Sequence, residues 1–148
     1  MDITIQELTS FIHERYMKRG EQIIQEGSLV LQHIEQNNIS AYAFGTSIYH
    51  VILSRKNNIL TGTCTCPAFI DFGPCKHMAA AGLARLTPGY QPDELYWKQK
   101  ENFEHILRFL EKQSKDKLVH IIMQCIGQHP EMLDLFENDE HIYSQRTM

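Results

Sequence analysis

Four residues constrain this chain more than any others: Cys64, Cys66, Cys75 and His77, in the stretch Cys64-Thr-Cys-Pro-Ala-Phe-Ile-Asp-Phe-Gly-Pro-Cys-Lys-His77. The spacing is C-x-C, eight intervening residues, then C-x-H, and it takes up three of the four cysteines. In an extended segment, residues i and i+2 point to the same side, so Cys64 and Cys66 can aim two sulfurs at one ion. Pro67, Gly73 and Pro74 suit a stiff return that brings Cys75 and His77 back to the same place. Such a set binds Zn²⁺ with bonds of about 2.3 Å to sulfur and about 2.0–2.1 Å to nitrogen. Four protein ligands leave no open position, which marks a structural rather than a catalytic site. One Zn²⁺ per chain is expected, and a fragment with little core of its own is expected to need it for folding.

His77 opens the run Met78-Ala-Ala-Ala-Gly-Leu-Ala-Arg-Leu86, which reads as a helix closed by Thr87-Pro-Gly89. Three thiolates and a neutral imidazole on Zn²⁺ carry a net negative charge. The unsatisfied amides of a helix N-terminus favour that charge, and Lys76 adds a cation beside it.

At 148 residues the chain is one domain, or a small core with helical additions. No apolar run approaches the roughly 20 residues of a membrane span. Met1-Asp-Ile-Thr-Ile-Gln-Glu7 lacks the basic and apolar regions of a signal peptide. The expectation is therefore a soluble cytoplasmic protein, in which clustered cysteines mean metal sooner than disulfide. The formal net charge of −4 argues against a strongly basic nucleic-acid binder. Only residues 50–92 are net positive, through Arg55, Lys56, Lys76 and Arg85 against Asp71. Those four basic residues are the candidate phosphate contacts, with ordinary solvated surface as the plainer reading.

Thr4-Ile-Gln-Glu7 fits a capping box, and Leu8, Phe11, Ile12, Arg15 and Tyr16 follow helical spacing, Arg15 being the polar exception, with Gly20 as the expected interruption. From Ser28 the period changes. Leu29–Ile34, Ile39–Phe44, Ile48–Leu53 and Ile59–Cys64, separated by short polar turns, read as an antiparallel β-meander. Residues 88–96 read as a linker anchored by Tyr96 and Trp97. The tail is helical: Phe103, Ile106, Leu107 and Leu110 form one stripe. Ser114 caps a second helix that Gly127 ends, and Pro130 opens a third. The expected class is α+β, with an N-terminal helical segment 1–26, a zinc-binding module 27–90, and a linker and helical tail 91–148.

With Cys64, Cys66, Cys75 and His77 in this order, with Cys-Pro after the first pair and with Gly-Pro-Cys-Lys-His, the chain resembles the SWIM zinc-finger family. The likeness runs over about residues 19–87 and includes Arg19-Gly-Glu-Gln-Ile-Ile-Gln-Glu-Gly27. Residues 110–136 are similar to helical tails that follow the module in bacterial proteins. The family implies a zinc-binding interaction module for DNA or protein, found beside helicase-like ATPases, in transposases and in recombination accessory proteins. This chain shows no ATPase or transposase segment and has acidic flanks. The same cysteine spacing is also that of CDGSH-type iron–sulfur proteins. Those place the histidine four residues after the third cysteine, where here it follows by two in Cys75-Lys-His77.

Cys125 falls on an apolar stripe and reads as a core thiol. Phe69 and Phe72, inside the ligand loop, either shield the metal or offer an apolar contact to a partner. No nucleophile–base pair, phosphate-binding glycine loop or paired-carboxylate motif occurs, so nothing positive supports an enzyme or a small-molecule substrate. The functional expectation is an accessory protein in nucleic-acid transactions, acting on a protein partner such as a helicase-like ATPase and touching DNA weakly. The alternative is direct DNA binding through the basic segment, and an iron–sulfur protein stands further off.

Overall fold

A computed structural model describes residues 1–137. The chain divides into two compact units, one spanning Met1–Phe103 and a second beginning at Glu104.

The first unit opens with two helices. In α1 (Ile5–Phe11) Thr4 and Glu7 form the capping box read from the sequence: the Glu7 amide donates to Thr4 Oγ1 at 3.2 Å and the Thr4 amide donates to Glu7 at 2.9 Å. The break that follows falls at Ile12 and His13, not at Gly20. Ile12 is extended, and the His13 ring accepts from the Arg15 amide at 3.3 Å to cap α2 (Glu14–Gln25). Gly20 lies inside α2 because that helix crosses another at close range. A Cβ there would sit 2.7 Å from Ala79 Cβ and 2.9 Å from the Ala80 nitrogen.

The meander follows in sequence order: β1 (Leu29–Ile34), β2 (Asn38–Phe44), β3 (Ile48–Lys56) and β4 (Ile59–Cys64), all antiparallel, as the α+β reading expects. Asn57 and Asn58, both at positive φ, make the two-residue turn between β3 and β4. Asparagine tolerates that conformation, and the resulting twist matches the flanking strands. One face of the sheet carries Leu29, Ile39, Ala41, Val51, Leu53 and Leu60 into the core. Against it lies α4 (Lys76–Leu86), whose Met78, Ala79, Ala80, Ala81 and Ala84 are buried. The small side chains let the helix approach the sheet closely. Leu8 of α1, Ile12 at the break, and Met17 and Ile23 of α2 complete the core, so the N-terminal helices and the zinc segment share one core.

On the other sheet face, Val30, Tyr42 and Phe44 form a smaller cluster with Tyr96 and Phe103 of α5 (Glu94–Glu111). Tyr96 meets Phe44 at 5.5 Å between ring centroids, and Phe103 meets Tyr42 edge-on at 5.3 Å. Residues 88–93 are pinned as well: Tyr90 Oη donates to the Leu29 carbonyl at 2.7 Å and the Asp93 amide donates to the Gly27 carbonyl at 3.0 Å. Of the two expected linker anchors, Tyr96 holds the core, whereas Trp97 is 42% exposed under Lys100.

In the second unit, Ser114 caps α6 (Lys115–Gln128) by accepting from the Lys117 amide at 3.2 Å. Gly127 lies inside its last turn, and His129 is the C-cap. Pro130 opens a 3-10 turn (Pro130–Leu133) that leads into α7 (Asp134–Glu137). No residue of α5 or α6 is fully buried, and Cys125 is half-buried rather than a core thiol. No helix among the described residues is long and apolar enough to cross a membrane.

Candidate metal centre

Strand β4 delivers Cys64 at its last residue, and Cys66 follows two residues on. Between them the Thr65 amide donates to the His50 carbonyl at 3.1 Å, and the His50 amide donates back to Thr65 Oγ1 at 2.9 Å. These bonds turn Thr65 toward β3 and leave the two flanking cysteines free for a common target. The return loop is itself helical: Pro67 starts a short helix, α3 (Pro67–Phe72), and Gly73 at φ 83° ends it. Proline suits the first helical turn and glycine the left-handed stop, so the stiff return read from these residues is built around a short helix. Cys66 is the N-cap of α3 and Cys75 the N-cap of α4; His77 is the second residue of α4.

All four ligand residues are buried, and their donor atoms lie within 4.8 Å of one another. His77 presents Nδ1, 3.7 Å from Cys64 Sγ and 3.9 Å from Cys75 Sγ. A tetrahedral Zn²⁺ with ordinary bond lengths separates its donors by about 3.6–3.8 Å, so the two His77 distances already suit the ion, and the remaining donors close in from separations of at most 4.8 Å. The C-x-C and C-x-H pairs therefore converge as the spacing predicts. The choice of Nδ1 was not readable from the sequence; it follows from His77 sitting in the first turn of α4, close to its own backbone.

The thiols are not independent. The neighbouring Cys64 thiol donates toward Cys75 and holds it ionised, down to about 4, against the opposing effect of burial. Cys64 is pushed up by its partner Cys75 and by burial, and Cys66 is pushed up first by burial. The backbone amides of Cys66, Phe69 and Met78 are turned toward the sulfurs of Cys64, Cys66 and Cys75 and favour the thiolate in each case. Without a cation the trio holds one negative charge readily and resists three. A divalent ion removes that resistance, and the amides at the two helix N-termini already face the charge.

The two phenylalanines of the ligand loop separate. Phe69 packs against the core beside the metal ligands, while Phe72 is 73% exposed and Ile70 beside it is 74% exposed. The basic residues separate too. Arg55 bonds the Glu7 carboxylate and donates to the Asp2 carbonyl at 2.8 Å. Arg85 donates to Asp2 Oδ1 at 3.0 Å and to the Met1 carbonyl at 3.1 Å. Both guanidiniums tie the N-terminal segment onto β3 and α4. The acidic partners, Asp2 and Glu7, lie far away in sequence, and no local pattern could have paired them. Lys56 stands exposed at the β3–β4 turn and Lys76 is half-buried beside Cys75. The structure thus brings the four metal ligands together and leaves the four basic residues in two pairs with different surroundings.

Tyr49 is a residue the sequence reading passed over. Its ring stacks on His77 at 4.8 Å between centroids, and its hydroxyl lies 3.1 Å from Thr46 Oγ1. It is an aromatic two residues before Val51, the strand partner of Cys64, which was the available signal.

Comparison with curated proteins and with solved structures gives no match. Residues 49–85, from the strand that carries Tyr49 to the end of the helix that carries His77, match the family model of the SWIM zinc finger. With a buried Cys₃His cluster inside that span, this segment of the chain is similar to a SWIM zinc finger, and its four donors suit one Zn²⁺.

Proposed function

We propose that the chain is a zinc-stabilised interaction module, an accessory in nucleic-acid transactions that docks a protein partner of the helicase-like ATPase kind. The observation that carries this reading is the ligand loop. Its four donors close the metal site, so the ion has no position for substrate. The same loop holds Ile70 and Phe72 out into solvent on a helix pinned at both ends by metal ligands. Large apolar side chains on a rigid support are what a binding hot spot requires. The test is affinity capture from native lysate with the zinc-loaded chain and with an Ile70→Ser/Phe72→Ser variant, both after nuclease treatment. The reading expects a discrete protein retained by the parent chain and lost by the variant. Equal recovery by both chains, or none by either, would sink it.

Direct DNA binding rests on Lys56 and Lys76, since Arg55 and Arg85 are already held by carboxylate and carbonyl groups. Two phosphate contacts give a slope of about −1.8 in the logarithm of affinity against that of salt. A flat anisotropy titration at low salt with single- and double-stranded DNA would remove that reading.

A further inference from the structure

The two edges of the sheet are not alike. Along β1 the register slips between Leu31 and His33, a bulge that spoils pairing with a further strand. The carbonyls at its two ends are also taken: Leu29 accepts from Tyr90 Oη, and Glu35, just past the strand, accepts from the Met1 amino group. β4 has none of these protections. Ile59-Leu-Thr-Gly-Thr-Cys64 contains no proline, no lysine and no bulge, and pairs with β3 without interruption.

The turn fixes which backbone groups of β4 are free. A two-residue turn closes on a hydrogen-bonded pair, here Lys56 and Ile59, so the Ser54–Thr61 and Ile52–Thr63 pairs exchange bonds as well. The alternation is confirmed on the other side of β3, where the Arg55 amide donates at 2.8 Å to Asn37, away from β4. Leu60 and Gly62 therefore turn their N–H and C=O groups outward, and none of these groups meets a partner among the described residues. Beside Leu60 the edge opens into a shallow cleft of about 440 Å³, walled by Gln6, Ser10 and Phe11 of α1 and by Ile59. Glu7 brings the only formal charge to the lining, and Arg55 neutralises it.

We infer that the β4 edge is a strand-addition site. Its occupant is an extended, uncharged segment of a partner protein that pairs its backbone with Leu60 and Gly62 and places an apolar side chain over Phe11. Outward donors and acceptors two residues apart match the spacing of another strand, which satisfies them together when it displaces water, and a neutral, partly apolar cleft disfavours a charged one. This inference rests on the interaction-module reading and names a surface distinct from Ile70 and Phe72.

The test uses the zinc-loaded chain, labelled for amide NMR, and a blocked peptide of alternating valine and threonine as probe. The proposal expects the Leu60 and Gly62 amides to exchange freely in the chain alone and to slow by about tenfold or more at saturation. It also expects N-methylation of the peptide's pairing amides to abolish the effect. Protection of Leu60 and Gly62 without peptide would overturn the proposal, whether in the monomer or in a dimer seen by sedimentation; in the dimer the occupant is a second copy. Shifts confined to other surfaces would overturn it too. If the edge stays inert while the Ile70→Ser/Phe72→Ser variant still loses its captured protein, the interaction reading survives and the strand-addition site does not.

Discussion

Tyr49 lies against His77 with 29° between the ring planes, so a metal ligand on α4 is braced by a side chain from β3. The stack fixes the imidazole while Nδ1 faces the sulfurs, and the Tyr49 hydroxyl is itself held near Thr46. Groups that orient a ligand typically matter tenfold to a hundredfold in metal affinity. Tyr49→Ala is therefore expected to weaken zinc binding by about that range, and Tyr49→Phe, which keeps the ring, by far less. Competition against a chromogenic chelator measures both.

Replacing a ligand acts more severely. Cys75→Ser removes one of the four donors, and stoichiometric zinc should be lost on purification. Cys125→Ser leaves the metal content unchanged, because Cys125 lies in the second unit, outside the cluster. Metal analysis of the two variants gives the answer directly.

Removing the metal itself should unfold the first unit. The binding free energy of a structural zinc, about 10–16 kcal/mol, matches or exceeds the roughly 5–15 kcal/mol that holds a typical domain together. Three of the buried core residues of this unit are the ligand cysteines. Chelation is expected to abolish the cooperative thermal transition, with recovery on adding zinc, as followed by circular dichroism.

Gly20→Ala tests the helix crossing behind the site. Alanine improves helix propensity by about 1 kcal/mol, but its methyl group would overlap the backbone of α4, the helix that carries His77. Overpacking of this kind costs about 1–3 kcal/mol. The net expectation is a destabilised protein, read from denaturant midpoints; a stabilised one would mean that α2 and α4 stand further apart.

These cases show where the sequence was legible. The C-x-C and C-x-H spacing, the four strand runs and the caps at Thr4 and Ser114 are local patterns, and each appears in the structure where its residues placed it. Gly20 misled because a glycine breaks a helix and permits a close crossing by the same lack of a side chain, and only the position of Ala79 decides between them. Arg55 and Arg85 looked like free cations because their partners, Glu7 and Asp2, stand 48 and 83 residues away in sequence. α3 was hidden because a loop of eight residues is too short to show helical periodicity. The apolar tail stripes were readable as helices, yet their burial was not, since periodicity gives a face and says nothing of what covers it.

The central claim, a closed Cys₃His zinc centre, is tested most directly by the metal content and visible spectrum of protein purified without added metal. The account predicts one zinc per chain and a colourless solution. A red-brown protein carrying iron and labile sulfide would contradict it.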